Sequence, residues 1–266
     1  MKVAARKFIC FILITWVVVI PPSAKALDEG FIGCIVAPEG EDSPVYGSPY
    51  QRQGLTTCAP VSDVNGLINL DLNGAIDLPG DGSWRAARAI RRSIVECFND
   101  REIFKAFGGT FIGAQQYTQA FCQCNAEATG INFHCRTRFK TKDPNTEPRI
   151  PVPRPITQTD IDLLSEAANN ELCFSELYIH ISQLGGHAQT VVNFDPVDET
   201  IEVRDPNNPN KPFKYDFELG ETDLRTDNKW AKKVALNIVE FIGYTIKCVD
   251  NGEPNPANSE GELLID

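Results

Sequence analysis

Three residues that lie far apart in the sequence have the types, order and local settings of a thiol-based reaction centre. Cys58 begins a predicted helix, where Thr57 can act as the N-cap and Pro60 is tolerated in the first turn. His187 follows two glycines at the start of a predicted strand, and Asp205 ends the next predicted strand. Helix amides favour a thiolate, an imidazole accepts its proton, and a carboxylate holds the imidazole in one tautomer. The order therefore predicts a nucleophile, a base and an orienting acid.

The sequence around these residues resembles the papain-like cysteine peptidases. Within them it resembles the bacterial branch typified by the double-glycine leader peptidases, which is called C39-like. Cys-Ala-Pro-Val-Ser, starting at Cys58, is similar to the Cys-Gly-Pro-Thr-Ser type of motif in that branch. Gly-Gly-His-Ala-x-Thr-Val-Val, followed by a hairpin into Val-Arg-Asp-Pro, is similar to its histidine and aspartate strands.

The resemblance implies a role for each matched residue. Cys58 is the implied nucleophile, His187 the general base and acid, and Asp205 the orienter. In this family a glutamine shortly before the cysteine contributes its amide to the oxyanion hole, and Gln53 is the first candidate, with Gln51 the second. The implied function is a cysteine hydrolase, most simply a peptidase that acts on a peptide or protein through a thioester intermediate.

Each residue of the triad also has a purely structural interpretation. Cys58 can be a disulfide cysteine, His187 can be a core residue of its strand, and Asp205 before a proline suits a turn. Asp195 competes as the orienter, although it lies in a predicted turn soon after His187. Two alternatives therefore stay open. One is a non-catalytic, disulfide-stapled binding protein on the same scaffold, and the other is an amidase, deamidase or acyltransferase with the same triad.

The first 26 residues have the pattern of a secretory signal peptide. A basic start is followed by an apolar run over residues 8–20 and by the small-x-small site Ala24-Lys25-Ala26. The apolar run is short for a bilayer span, so cleavage after Ala26 is favoured over an uncleaved anchor. This predicts a secreted or periplasmic protein with no membrane attachment after cleavage.

Export makes disulfide bonding the usual state of the cysteines. Cys10 leaves with the signal peptide, and eight remain: Cys34, Cys58, Cys97, Cys122, Cys124, Cys135, Cys173 and Cys248. Eight allow four disulfides, whereas a free nucleophile would leave one further cysteine unpaired. Zinc at His134 with the neighbouring cysteines is disfavoured, because Cys-x-Cys is tighter than the usual structural spacing. No metal or cofactor is predicted.

The charge of the chain argues against some classes of partner. The full chain has 25 Lys and Arg residues against 36 Asp and Glu residues, for a formal net charge of −11. Removal of residues 1–26 takes away four basic residues and lowers the charge to −15. Nucleic acids and anionic lipids require dense positive charge, so neither is expected as a partner. The oligomeric state is left open.

Hydrophobic periodicity predicts where the positioning elements lie. Helices are predicted from residue 58, over 83–98, 113–129 and 159–169, and from about 230 to 242. The first of these is expected to be short or interrupted, because Gly66 and Asn73-Gly74 follow Cys58 closely. Strands are predicted over 172–181, 187–194, 200–204 and 213–217, with residues 195–198 as a hairpin turn.

These elements predict an α+β, papain-like fold in which a helical part with Cys58 at a helix N-terminus packs on an antiparallel sheet. The predicted organisation is a signal peptide (1–26), one domain (27–250) and an acidic flexible tail (251–266). Within the domain we expect a helical, cysteine-rich part over 56–140, a proline-rich connector over 141–158 and a strand-rich part over 159–250. Residues 99–141 are expected to be a disulfide-rich helical insertion.

Overall fold

The first three helices of this mixed α+β fold pack on one face of a largely antiparallel sheet, and the fourth helix packs on its other face. The computed structural model describes residues 31–32, 50, 58–101, 110–111, 115–141, 151–181, 185–250 and 260–265. Over these residues no helix has the length and apolar character needed to cross a bilayer.

Three helices pack together on one face of the sheet, and we call them the helical layer. They are α1 (Cys58–Leu72), α2 (Trp84–Asp100) and α3 (Gln115–Thr129). The Ser83 side chain caps α2 by accepting a hydrogen bond from the Ala86 amide at 3.3 Å, and the buried stripe runs through Ala87, Ile90 and Ile94. The predicted helices over 83–98 and 113–129 are confirmed as α2 and α3, and each observed end lies within two residues of the predicted one.

Helix α1 passes through Gly66 without interruption, so the predicted break there is wrong. Most of its residues are buried, including Gly66. The ring of Phe174 lies against this glycine, and a Cβ built there would come within 2.1 Å of the ring. Gly66 therefore permits a close contact between helix and sheet, and the contact outweighs its weak helix propensity. The helix ends before Asn73-Gly74, where Gly74 has a φ of +74°.

The main sheet takes strands from nearly the whole described chain. Its members are β3 (Phe133–Thr141), β4 (Pro151–Val152), β5 (Cys173–Ile181), β6 (Gly185–Asp195), β7 (Thr200–Arg204), β8 (Phe213–Asp216), β9 (Asp223–Arg225), β10 (Ile238–Val249) and β11 (Glu260–Ile265). The order is β11-β3-β10-β5-β6-β7-β8-β9, and β4 pairs with β3. A separate antiparallel pair joins β1 (Phe31–Ile32) to β2 (Thr110–Phe111).

Strand β10 closes six strands of this sheet into a ring. One edge of β10 pairs with β5, while its other edge pairs first with β9 and then with β3. The strands β10-β5-β6-β7-β8-β9 therefore form a closed circuit. The register of β10 against β5 shifts between Phe241 and Gly243, and a Cβ on Gly243 would lie 2.1 Å from the Arg138 carbonyl oxygen. A glycine is needed where the two backbones approach so closely.

The predicted helix over 230–242 is wrong. The structure has a short α5 (Lys229–Lys233), and β10 begins at Ile238. Ala235 has a φ of +60°, which is incompatible with a continuing right-handed helix. Val239 and Phe241 are buried while Ile238 is 56% exposed, so the apolar residues follow the alternation of a strand.

Two further predictions change at the edge of the sheet. Residues 260–265 of the predicted flexible tail form β11, which pairs in parallel with β3, and residues 251–259 lie outside the described chain. Arg136 binds Glu262 at 2.8 Å across this pairing. The expected helical insertion over 99–141 ends in β3, an inner strand of the main sheet, and is therefore part of the scaffold.

Helix α4 (Gln158–Ala168) begins one position before the predicted range of 159–169. Thr157 is its N-cap and forms a capping box with Asp160. Asp160 also accepts two hydrogen bonds of 2.7 Å from the buried guanidinium of Arg154. The proline-rich connector thus ends in ordered structure, since β4 and Arg154 both belong to it.

Two apolar cores lie on opposite faces of the sheet. On β5, Tyr178 packs with the helical layer, while Leu177 and Ile179 point into the strand ring. Disulfides Cys97–Cys124 and Cys122–Cys135 join α2 to α3 and α3 to β3, and Cys173–Cys248 joins β5 to β10. The predicted α+β class with an antiparallel sheet is confirmed at this level.

Candidate functional site

A buried imidazole and carboxylate meet where β6 and β7 run side by side. His187 Nε2 lies 2.8 Å from Asp205 Oδ2, and both side chains have no exposed surface. His187 is near the start of β6, and Asp205 follows the last residue of β7. The structure therefore brings together two residues that the sequence separates by 18 positions.

Further hydrogen bonds hold the carboxylate in its ionised form. The Gln189 side chain donates from Nε2 to Oδ2 of Asp205 at 2.7 Å, and the backbone N–H of Asn207 donates to Oδ1 at 2.8 Å. Burial alone would raise the pKa of Asp205, but the His187 imidazole and these hydrogen bonds outweigh it and lower the pKa below its usual range. Asp205 is therefore an acceptor only.

The ionised carboxylate fixes the tautomer of His187. Because Asp205 cannot donate, Nε2 of the imidazole carries the hydrogen that lies between them. In the neutral ring the lone pair is then on Nδ1, and this buried atom makes no hydrogen bond with any residue that the structure describes. A histidine with one nitrogen bound to a carboxylate and the other unused is suited to accept a proton at the unused nitrogen.

Cys58 is the first residue of α1 in the described chain, and the turn that follows it is fixed to β6. Ser62, one turn after Cys58, donates from Oγ to the Ala188 carbonyl at 3.0 Å and accepts at its own carbonyl from Thr190 Oγ1 at 2.7 Å. Ala188 directly follows His187 in β6, and Cys58 and Ala188 belong to the same buried core. The start of α1 is thereby held against the strand that carries the imidazole.

The thiol of Cys58 is not free in this structure, because Cys58 is disulfide-bonded and fully buried. Its partner lies outside the described residues. Six of the other eight cysteines form the three disulfides described above, which leaves Cys10 and Cys34. In this state Cys58 has no ionisable proton, and a nucleophile forms only after the bond is reduced.

The proposed oxyanion-hole residues, Gln53 and Gln51, lie outside the described residues, but both ends of their segment are placed. Tyr50 stacks on the guanidinium of Arg204 at 3.6 Å and donates its hydroxyl to Asn69 at 2.9 Å. Arg204 directly precedes Asp205, and Cys58 follows the segment at its other end.

Other residues singled out in the sequence have different surroundings. Asp195 accepts the backbone amides of Val197 and Asp198 in the hairpin turn, at 3.0 and 3.1 Å. His180 binds Glu240 at 2.6 Å on the partly exposed side of β5. Cys122, Cys124 and Cys135 are in disulfides, which takes their sulfurs away from any zinc site at His134, and the described residues hold no group of three candidate metal ligands.

A surface pocket of about 160 Å³ lies away from this site. It is lined by residues around the Cys173–Cys248 disulfide, among them His134, Glu166 and Ile246. None of Cys58, His187 and Asp205 contributes to it. This pocket is therefore separate from the His187–Asp205 pair.

Sequence reasoning missed the residues that support the pair. Gln189 lies two positions after His187, so a strand places both side chains on one face, and this alternation was a usable signal. Ser62, Thr190 and Asn207 act through contacts between distant segments, which no local pattern reveals. A second buried cluster, around Lys247, was also missed.

Comparisons with known proteins add little to this geometry. No family model and no curated protein matches the chain. Among solved structures, the Pseudomonas avirulence protein AvrPphB aligns with 70% of this chain and 89% of its own, at 11% identity and a TM-score of 0.27. A superposition this weak carries no argument, so function must be argued from the residues of this chain.

Proposed function

We propose that this protein is an exported papain-like cysteine hydrolase, most simply a peptidase, whose nucleophile Cys58 is stored as a disulfide and released by reduction. The observation that carries the proposal is the buried His187–Asp205 hydrogen bond, with Nδ1 of the imidazole unused at the strand against which the start of α1 is fixed. An ionised carboxylate and an imidazole nitrogen without a hydrogen bond would not stabilise a purely structural core, because burying either group costs free energy.

The reduced enzyme would act by acyl transfer. His187 Nδ1 takes the proton from the Cys58 thiol, and the thiolate attacks the substrate carbonyl carbon. The tetrahedral oxyanion is stabilised by backbone amides at the start of α1, together with the Gln53 amide. The C–N bond then breaks as His187 protonates the amine, leaving a thioester. Water adds with His187 again as the base, and the acid is released as Cys58 regains its proton.

The predicted export supports the proposal that a disulfide at Cys58 controls the hydrolytic activity. Three disulfides join described elements, as is usual in secreted proteins and rare in the cytosol. In such a compartment a helix-terminal cysteine near an imidazole would be oxidised readily, because it would form a thiolate easily. A reversible disulfide would protect it from irreversible oxidation.

The test compares two routes to a free Cys58. Cys34 is the only cysteine after residue 26 that is outside the three disulfides apart from Cys58, so the variant Cys34→Ser is expected to free Cys58 without a reductant. Iodoacetamide labelling with peptide mapping should then modify Cys58, and a peptide library should be hydrolysed. The wild-type protein under oxidising conditions should do neither, and a graded thiol titration should reproduce both changes.

A matched pair of variants tests the role of the imidazole. In the Cys34→Ser background, His187→Ala should abolish hydrolysis and slow alkylation of Cys58 near neutral pH, whereas His180→Ala should change neither, because His180 bonds only to Glu240 on another face. If Cys58 is exposed to alkylation but its labelling rate is the same in both variants, and no library peptide is cleaved, the hydrolase proposal is wrong.

The second candidate is the non-catalytic binding protein, and the disulfide state of Cys58 favours it. Under that function the four cysteine pairs are permanent staples. Reduction of Cys58 should then lower stability and produce no activity, and Cys58→Ala should leave ligand capture unchanged. An amidase, deamidase or acyltransferase would share the triad, and the library assay separates it from a peptidase by the product released.

A further inference from the structure

A second cluster of ionisable side chains is fully buried between α1 and the sheet. It consists of Lys247 on β10, Asp63 on α1 and Glu176 on β5, each with no exposed surface. Lys247 Nζ is in direct contact with Asp63 Oδ1 and donates to Glu176 Oε2 at 3.0 Å. We call these three residues the Lys247 cluster.

Aromatic rings and neutral donors surround the cluster. The Nζ atom lies 3.5 Å from the centroid of the Phe121 ring and 5.4 Å from that of Phe174. The Asn125 amide donates to Asp63 Oδ2 at 3.1 Å, which polarises that carboxyl group. Tyr178 donates its hydroxyl to Glu176 Oε2 at 3.1 Å. The reacting groups are thus held together in apolar surroundings.

As an ion cluster this arrangement is poorly balanced. One ammonium and two carboxylates would carry a net negative charge in a fully buried site, and Glu176 Oε1 makes no hydrogen bond with any residue that the structure describes. Burial lowers the pKa of Lys247 well below its usual value and raises the pKa of Glu176 well above its own. A neutral Lys247 amine and a protonated Glu176 are therefore the favoured forms, so the amine can act as a nucleophile and Glu176 can donate a proton.

We propose that Lys247 and Asp63 are joined by an intramolecular isopeptide bond, with Glu176 as the proton shuttle. Lys247 Nζ attacks Cγ of the Asp63 carboxylic acid and forms an N–C bond. Glu176 donates its proton to the departing hydroxyl of Asp63 and takes one proton from the amine nitrogen in return, so that one C–O bond breaks and one water leaves. No oxidant and no cofactor is required. Enforced contact of the two groups replaces the high concentration that an uncatalysed amidation would need.

The bond would fix the start of α1 covalently to the sheet. Asp63 lies five positions after Cys58 and next to Ser62, while Lys247 precedes the disulfide residue Cys248. Helix α1, which carries Cys58, would then stay attached to the sheet whether the Cys58 disulfide is intact or reduced. This inference does not depend on the hydrolase proposal, because it concerns different atoms and a different measurement.

Mass spectrometry of the wild-type chain decides the question. After reduction and alkylation, trypsin should leave Lys247 uncleaved, since its amine is blocked. Peptides 53–85 and 234–266 should then appear as one linked species, lighter than their sum by one water. Separate peptides 53–85, 234–247 and 248–266 would overturn the proposal and leave the cluster as an ion pair network.

Variants test the shuttle. Glu176→Gln keeps the shape of the side chain but cannot act as an acid, so the linked species should disappear or form far more slowly. Glu240→Gln on β10, whose carboxylate bonds to the partly exposed His180, should be fully linked. A linked species of undiminished amount in Glu176→Gln would overturn the role of Glu176. Should that variant fail to fold, the wild-type peptide map still decides whether the bond exists.

Discussion

At its start, α1 is fixed to β6, where His187 bonds to Asp205 at the end of β7, and one turn later its own Asp63 contacts Lys247, which also bonds to Glu176. Both oxygens of Asp205 accept hydrogen bonds. In the Lys247 cluster, Glu176 Oε1 accepts none from the residues that the structure describes. Hydrogen bonds to both oxygens allow a carboxylate to stay ionised in a core, whereas a buried carboxyl group that lacks them takes up a proton.

The difference also appears in the direction of the pKa shifts. The pKa of Asp205 is lowered although the group is fully buried, because burial is outweighed by His187. The pKa of Glu176 is raised, because burial dominates and the Tyr178 hydrogen bond does not compensate. The fold therefore keeps one fully buried carboxyl group ionised and another protonated.

The largest effect is expected from a variant that disrupts the His187–Asp205 pair. Asp205→Asn should lower kcat of the Cys34→Ser hydrolase by roughly 10⁴-fold, because an amide can donate to Nε2, move the hydrogen to Nδ1 and leave the imidazolium without its counter-charge. Asp195→Asn, in the hairpin turn, is the control and should leave kcat unchanged. Steady-state hydrolysis measures both, and equal kcat values for the two variants would contradict the orienting role of Asp205.

The next effect concerns stability. Lys247→Met should destabilise the protein by about 3–5 kcal/mol, because it leaves Asp63 buried without its partner, whether that partner is ionic or covalent. Lys232→Met removes an exposed ion pair with Asp227 and should leave the unfolding midpoint almost unchanged. Guanidinium unfolding of both variants gives the comparison, and similar midpoints would show that the Lys247 cluster contributes no more than a surface pair.

A third variant is expected to move α1 relative to both the His187–Asp205 pair and the Lys247 cluster. Gly66→Ala places a Cβ against the Phe174 ring and should destabilise the protein by about 1–3 kcal/mol through overpacking. Leu72→Ala, on an exposed position of the same helix, should change stability by only about 0.5 kcal/mol. Thermal unfolding is the measurement. A stabilised Gly66→Ala protein, as helix propensity alone would give, would show that the helix can move away from β5.

The smallest effect is the opposite pH dependence of the two carboxyl groups. Asp205 has a lowered folded pKa, so it stabilises the protein above its unfolded pKa of about 3.9, and this stabilisation is lost as the pH falls through the folded value. Glu176 has a raised folded pKa, so its stabilisation is present below about pH 4.3 and is lost as the pH rises through the folded value.

Unfolding free energies measured across pH separate the two groups. The difference between wild type and Asp205→Asn should shrink towards acid pH, whereas the difference between wild type and Glu176→Gln should shrink as the pH rises from acid values. If both differences change in the same direction, the two carboxyl groups have the same protonation state and the comparison between the sites fails.

The sequence by itself determined several local elements and the order of the candidate triad. Alternating apolar residues predicted β5 to β8, and the amphipathic periodicity of residues 83–98 predicted α2, because both patterns depend on neighbouring residues. The motif around Cys58 and His187 likewise lies in short stretches. The acidic charge follows from residue content alone, whereas export stays a prediction from the pattern of residues 1–26.

Only the tertiary structure decided what those residues meet. Residues 238–249 form a strand and not a helix because β5, β9 and β3 pair with them, and α1 continues through Gly66 because Phe174 needs the space. The contact between Asp63 and Lys247 joins segments that are far apart in the chain. Such contacts depend on the packing of whole elements, which no local pattern of residues encodes.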